Sequence, residues 1–131
     1  MNPLLLIVDD ERTTREGLNA ALEDHFDVYM AQDTASAIRL LEEEKFDVVL
    51  TDLRMAGKED GFELIRRAKS LNLPPVCILM TAYGSEDVAV EAMKQGADDY
   101  ISKGRMQIDE LEMRIARALK RRSMEEEWAD L

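Results

Sequence analysis

The sequence is poor in the features that mark secreted and membrane proteins. Cys77 is the one cysteine among 131 residues, which excludes a disulfide bond within the chain. No apolar run approaches the ~20 residues that a membrane-spanning helix requires. The N-terminus shows neither a basic region followed by a long apolar stretch nor a small-residue cleavage site. We therefore expect a cytoplasmic protein that does not span a membrane.

Positive charge is also scarce. The chain has 17 Lys and Arg against 28 Asp and Glu, a formal charge of −11, and such a surface repels the phosphates of nucleic acids and anionic membranes. Direct nucleic-acid binding by this chain is therefore not expected. The sequence also lacks the Gly-x-Gly-x-x-Gly and Walker-type patterns of nucleotide sites. Its length and its 46% of hydrophobic residues suit one compact domain.

Five short stretches with β-strand character alternate with stretches of helical spacing. The strands are predicted at residues 4–9, 28–31, 47–52, 76–81 and 99–102. The first and fourth are continuously apolar, which is typical of strands that are covered on both faces of a parallel sheet. Strands that alternate with helices imply right-handed crossovers. The pattern predicts an α/β three-layer sandwich around a five-stranded parallel sheet.

Five helices are predicted between and after the strands. The first should begin near Thr13, where residues 13–16 fit a capping box, and end near His25. The second helix is placed from about Thr34, the third from Gly61 or Phe62, and the fifth from about Ile108. The fourth should end at Gly96, which is predicted to be a left-handed cap. We assign residues 1–120 to the domain and 121–131 to an extension of the last helix or the start of a linker. The last helix carries an apolar stripe of Ile108, Leu111, Ile115 and Ala118, and Met124 and Trp128 continue beyond it. A homodimer through the last helices is therefore a hypothesis.

Polar residues stand where four of the predicted strands end. Asp9 is followed by Asp10, while Asp52, Thr81 and Lys103 lie at or just after the ends of three other strands. Ligands of open α/β sheets bind at the carboxyl ends of the strands. We therefore expect these side chains to converge on one edge of the sheet.

A cluster of this composition favours magnesium and phosphate chemistry. Three close carboxylates repel one another unless a cation neutralises them. Mg²⁺ binds oxygen ligands, commonly one or two carboxylates together with a phosphate, and the absence of accompanying His or Cys argues against zinc. A carboxylate beside such an ion can attack a phosphoryl group. The metal and the lysine would then stabilise the phosphoryl oxygens.

Four motifs occur in a specific order and spacing. They are Leu-Ile-Val-Asp-Asp-Glu at 6–11, Asp-Val-Val-Leu-Thr-Asp-Leu-Arg-Met at 47–55, Leu-Met-Thr-Ala-Tyr-Gly at 79–84 and Gly-Ala-Asp-Asp-Tyr-Ile-Ser-Lys at 96–103. Over nearly its whole length the chain resembles the receiver domain of two-component response regulators. The Asp-Leu-Arg-Met run further resembles receivers of regulators that activate alternative-sigma-factor transcription.

The resemblance implies a flavodoxin-like fold with strand order 2-1-3-4-5 and a phosphorylation switch. Asp52 would accept phosphate from a histidine kinase or a phosphotransfer protein, and slow self-dephosphorylation would follow. Asp9, Asp10, Asp52 and the backbone carbonyl of Arg54 would hold Mg²⁺. The remaining implied roles are pairing of Lys103 with the phosphate, movement of the Thr81 hydroxyl towards it, and a rotamer change of Tyr100.

Two departures from the family pattern concern loops. Ala56 replaces a usual proline, and the run Gly57-Lys58-Glu59-Asp60-Gly61 is one residue longer than usual, so we expect a mobile loop beside Asp52. Gly104 follows Lys103 where the family commonly has a cis proline. A non-proline cis bond costs about 2.5–4 kcal/mol, so a trans bond and an altered path from Gly104 to Met106 are expected.

Two other functions remain open at this stage. A phosphohydrolase of the haloacid-dehalogenase type also uses an aspartyl-phosphate and Mg²⁺, but usually begins with Asp-x-Asp and carries a cap or insert. Here Asp9 and Asp10 are adjacent and no length is left for a cap. A receiver-like interaction domain that works without phosphorylation is the second alternative, and weak Mg²⁺ binding would distinguish it.

Overall fold

Strands and helices alternate along the whole chain. The computed structural model describes residues 2–55, 60–82 and 84–129. The strands are β1 Leu4–Val8, β2 Asp27–Ala31, β3 Val48–Asp52, β4 Val76–Thr81 and β5 Asp99–Ser102, and the helices are α1 Arg12–Leu22, α2 Thr34–Glu43, α3 Asp60–Lys69, α4 Glu86–Lys94 and α5 Ile108–Ala129. A 3-10 turn at Lys103–Arg105 joins β5 to α5.

The strands form one parallel sheet of order β2-β1-β3-β4-β5. The predicted fold class and strand order are confirmed. All five predicted strands are present, with ends that differ by at most one residue.

Helices cover both faces of the sheet and create two hydrophobic clusters. In β1, Leu6 and Val8 face the cluster under α2, α3 and α4, whereas Leu5 and Ile7 face the cluster under α1 and α5. All four side chains are fully buried. Because successive strand residues point to opposite faces, the continuous apolar run is what two covered faces require. Cys77 of β4 is buried in the same way, as expected for a small core residue, and burial raises the pKa of its thiol to about 12.

Helix α1 begins one residue before the predicted start near Thr13 and ends three residues before the predicted end near His25. The helix begins at Arg12, and Glu11 is its N-cap without a side-chain capping bond, so the capping box does not form. The Oδ1 atom of Asp9 instead accepts from the backbone N–H of Glu11, at 2.9 Å, which closes the turn after β1 early. The helix ends at Leu22, whose carbonyl accepts from the N–H groups of His25 and Phe26. Phe26 then enters the core, and His25 stays exposed.

The other helix signals agree better with the structure. Asp33 caps α2 through a 2.7 Å bond from the Ser36 N–H. Gly96 has φ +106°, the left-handed conformation expected after α4. None of the helices in the described ranges is long and apolar enough to cross a membrane.

The last helix continues past the predicted boundary at residue 120. Its Leu111, Ile115 and Ala118 are buried against the sheet. Farther along, the Arg122 guanidinium donates to the carbonyl of Asp47 at 3.1 Å and to its carboxylate at 2.9 Å. The helical extension is therefore attached to the sheet by Arg122, whereas Met124 and Trp128 are exposed. The division at residue 120 and the homodimer remain predictions.

Candidate functional site

Four adjacent strands end at one edge of the sheet and bring the predicted site residues there. Asp9 follows β1, Asp52 ends β3, Thr81 ends β4 and Lys103 follows β5. The order β1-β3-β4-β5 makes these ends neighbours, and the register sets Thr81 beside Ser102 at the end of β5. The predicted convergence on one edge is therefore present.

Asp9, Asp10 and Asp52 form a compact acidic cluster. Each offers one carboxylate oxygen, and these three atoms lie within 4.8 Å of one another. Asp9 is fully buried, the side chain of Asp52 is 12% exposed, and Asp10 faces solvent. Three oxygen donors open to water on one side fit an ion such as Mg²⁺, which retains several waters in its shell. The donor set offers neither nitrogen nor sulfur, which zinc sites use.

Lys103 connects two of these carboxylates. Its Nζ atom lies 2.7 Å from Asp9 Oδ2 and 3.1 Å from Asp52 Oδ2. No cis peptide bond occurs in the described ranges, so the bond to Gly104 is trans, as predicted. The altered path takes the form of the 3-10 turn at Lys103–Arg105, and Lys103 still reaches the acidic cluster.

Burial and charge act in opposite directions on the two partners. Burial raises the pKa of Asp52, the nearby Asp9 charge adds to this, and Lys103 only partly offsets it. Burial lowers the pKa of Lys103, but hydrogen bonds and charges from Asp9 and Asp52 outweigh it, so this pKa is raised. The ammonium group thus balances part of the negative charge of the cluster.

Asp9 is held from several sides. Its backbone N–H donates to the Ala31 carbonyl at 3.2 Å. Its own carbonyl accepts from Nη1 of Arg15, at 2.7 Å, while its carboxylate accepts from Glu11 and Lys103. These bonds fix the position from which the side chain of Asp9 enters the site.

The start of α3 packs tightly against the chain beside Asp52. The N–H of Gly61 donates to the Leu53 carbonyl at 2.9 Å. A Cβ atom on Gly61 would meet the Asp52 carbonyl and would lie 2.8 Å from the Leu53 Cα, so only glycine fits there. Arg54 lies two residues after Asp52 in the chain. That its backbone carbonyl binds the metal remains a prediction. The loop predicted to be mobile falls at residues 56–59, outside the described residues, before Asp60 begins α3.

Tyr100 lies half-buried on β5 with its ring against the β4–α4 connection. Its hydroxyl is buried and has no hydrogen-bond partner within the described part of the chain. A Cβ atom on Gly84 would overlap that hydroxyl. The position of the ring therefore depends on the absence of a side chain at Gly84.

Sequence reasoning missed three residues around the site, namely Arg15, Gly61 as a close-packing position, and Gly84. From the sequence, Gly61 was interpreted only as a possible helix start and Gly84 only as the last residue of a motif. Gly84 comes three residues after Thr81, the last residue of the buried strand β4, and a glycine in such a connection can mark the close approach of another group. The contact of Arg15 had no sequence signal, because a lysine or arginine on a helix usually faces solvent.

A sequence model of the response regulator receiver domain matches residues 5–116. The chain belongs to the response-regulator receiver family. This membership distinguishes it from the haloacid-dehalogenase type of phosphohydrolase that the sequence had left open. Receivers are generally signalling domains rather than enzymes.

Individual relatives agree with this assignment. The receiver is 38% identical over 124 residues to Regulatory protein AtoC of Escherichia coli (strain K12), covering 94% of this chain and 26% of the relative. It is 38% identical over 116 residues to Transcriptional regulatory protein ZraR of Klebsiella oxytoca, covering 88% of this chain and 26% of the relative. The chain thus spans about a quarter of the length of these curated relatives. Both are consistent with the predicted resemblance to activators of alternative-sigma-factor transcription.

A solved structure shows the same architecture. The crystal structure of a CheY-like response regulator receiver domain protein from Methanospirillum hungatei JF-1 matches with a TM-score of 0.86 and 28% sequence identity. The match covers 95% of this receiver and 99% of that chain.

Proposed function

We propose that this receiver is a phosphorylation switch in which Asp52 is the phosphoacceptor. The observation that carries the proposal is the contact of Lys103 Nζ with both Asp9 and Asp52 inside a three-carboxylate cluster. A lysine and a metal-binding acid pair around one strand-end carboxylate form the arrangement that phosphoryl transfer needs. Family membership supports the same role.

In the proposed reaction an Asp52 oxygen attacks the phosphorus of a phosphohistidine on a histidine kinase or phosphotransfer protein. The new O–P bond forms while the P–N bond breaks, and the electron pair stays on the imidazole nitrogen, which takes up a proton. Asp9, Asp10 and the Arg54 carbonyl would hold Mg²⁺ together with Asp52. The bound ion would neutralise charge on the phosphoryl oxygens.

The other site residues would connect phosphorylation to the surface. Lys103 would move its hydrogen bonds from the carboxylates to a phosphoryl oxygen, and the buried Thr81 hydroxyl would approach another. Tyr100 would then change rotamer next to the β4–α4 connection. Phosphate would thereby shift a two-state equilibrium through contacts made in only one state. Transcriptional output would belong to parts of a longer protein, by analogy with the regulatory relatives.

Beryllofluoride with Mg²⁺ tests the proposal, since it mimics the aspartyl-phosphate. The amide NMR spectrum of the wild type should change during the titration and saturate as expected for one binding site. Asp52→Ala should abolish this change. Asp24→Ala, which removes an exposed carboxylate from the connection between α1 and β2, is the control. An unchanged wild-type spectrum, or a full response in Asp52→Ala, would contradict the proposal and favour the interaction domain that works without phosphorylation.

A further inference from the structure

Arg15 reaches from α1 to the backbone of the acidic cluster. Its Nη1 atom donates to the carbonyl oxygen of Asp9 at 2.7 Å, and the side chain is half-buried. The neighbouring Arg12 on the same helix behaves differently, because it is 80% exposed and binds Glu16 at 2.9 Å. Arg15 is therefore attached to the site, whereas Arg12 is attached to its own helix.

The bond from Arg15 completes the fixation of Asp9. The N–H of Asp9 is bound to Ala31 on β2, and its carboxylate to Glu11 and Lys103. The Asp9 carbonyl belongs to the peptide that leads into Asp10, so its direction influences where the carboxylate of Asp10 lies. Residues that orient metal ligands without touching the metal commonly determine affinity.

We infer that Arg15 is a positioning residue that orients the β1–α1 turn and thereby strengthens Mg²⁺ binding by Asp9 and Asp10. The inference rests on the proposed metal site. A cation beside three carboxylates should repel Mg²⁺, so removing it would strengthen binding if electrostatic repulsion dominated. Loss of orientation would weaken binding, and the two effects therefore have opposite signs.

The experiment compares Mg²⁺ affinity by titration calorimetry in the wild type, Arg15→Gln, Arg15→Lys and Arg12→Gln. We expect Arg15→Gln to bind Mg²⁺ about 10-fold more weakly. Arg15→Lys keeps the charge and, unlike the shorter Gln, a long side chain that ends in a donor, so it should recover part of the loss. Arg12→Gln removes the same charge from the same helix without touching Asp9, and its affinity should be unchanged or slightly higher.

A second measurement is made without metal. Hydrogen exchange at the Glu11 amide reports the bond to Asp9 Oδ1, and it should be faster in Arg15→Gln than in Arg12→Gln. Wild-type affinity in Arg15→Gln, an equal loss in Arg12→Gln, or unchanged exchange at Glu11 would each overturn the inference. A wild type that binds no Mg²⁺ would instead contradict the proposed metal site, while the exchange measurement would still test the positioning role.

Discussion

Replacing Lys103 by methionine tests the electrostatic balance of the site. The Lys103 side chain is 18% exposed, and its closest partner, Asp9, is fully buried. Removal of the ammonium leaves a buried carboxylate beside the charge of Asp52 without its counterion. Breaking one partner of a buried pair typically costs 3–5 kcal/mol. We expect about 3 kcal/mol here, at the lower end, because water reaches the exposed fraction of Asp52 and Lys103.

The same variant should respond more strongly to Mg²⁺ than the wild type. At the proposed metal site the ammonium and the metal would compete for the same carboxylates, whereas in Lys103→Met the metal would have no competitor. Binding to the folded state alone adds about 2.7 kcal/mol at a concentration 100-fold above Kd. The stability deficit of the variant should therefore shrink as Mg²⁺ is raised.

Urea unfolding at several Mg²⁺ concentrations measures both effects. Lys120→Met is the matched control, since it removes an exposed lysine from α5, and its unfolding free energy should hardly change. A metal-free deficit in Lys103→Met below about 1 kcal/mol, the size of an ordinary point-mutation effect, would refute this prediction. A deficit that is independent of Mg²⁺ would equally refute it.

Three further predictions concern the tyrosine, the last helix and pH. Gly84→Ala should displace the ring of Tyr100, because the new methyl group would occupy the position of the hydroxyl, and fluorine NMR of fluorotyrosine-labelled protein should show a shifted Tyr100 signal. Arg122→Gln should reduce the unfolding free energy by about 1 kcal/mol through loss of its partly exposed ion pair with Asp47, measured by urea unfolding. Since burial raises the pKa of Asp52, protons should compete with Mg²⁺ at a higher pH than at an ordinary aspartate. The affinity measured by calorimetry should therefore fall as pH is lowered towards the raised pKa of Asp52. Without metal, the Asp52 carboxyl group of the folded protein stays protonated up to a higher pH than that of the unfolded chain. The contribution of Asp52 to the unfolding free energy should therefore decrease as pH rises from the pKa of the unfolded chain towards that of the folded protein.

Matched variants define the outcomes that would contradict these predictions. Gly17→Ala adds a methyl group that meets nothing within 4 Å, so it should leave the tyrosine signals in place, and an equal shift there would argue against a steric effect of Gly84. Arg121→Gln removes an exposed charge one residue earlier, and an equal loss of stability would assign the effect to helix charge. A pH-independent Mg²⁺ affinity would mean that Asp52 does not bind the ion.

Most of the fold followed from local sequence patterns. The apolar run in β1 and that in β4 predicted strands buried on both faces, because alternate side chains of such strands must each meet a hydrophobic layer. The N-cap of α1 did not follow, since the bond from Glu11 to the Asp9 carboxylate depends on where Asp9 is held after β1. Local capping patterns near Thr13 could not register that competing bond.

The sequence by itself determined which residue types stand at the strand ends, and it therefore predicted Asp9, Asp10, Asp52, Thr81 and Lys103 as one site. Only the tertiary structure decided how that site is balanced and held. Lys103 and Asp9 are 94 residues apart in the chain but 2.7 Å apart in the fold. That distance, the Arg15 bond to the Asp9 backbone and the contact of Gly84 with Tyr100 all depend on sheet order and helix packing, because long-range contacts are created by tertiary geometry rather than by local spacing.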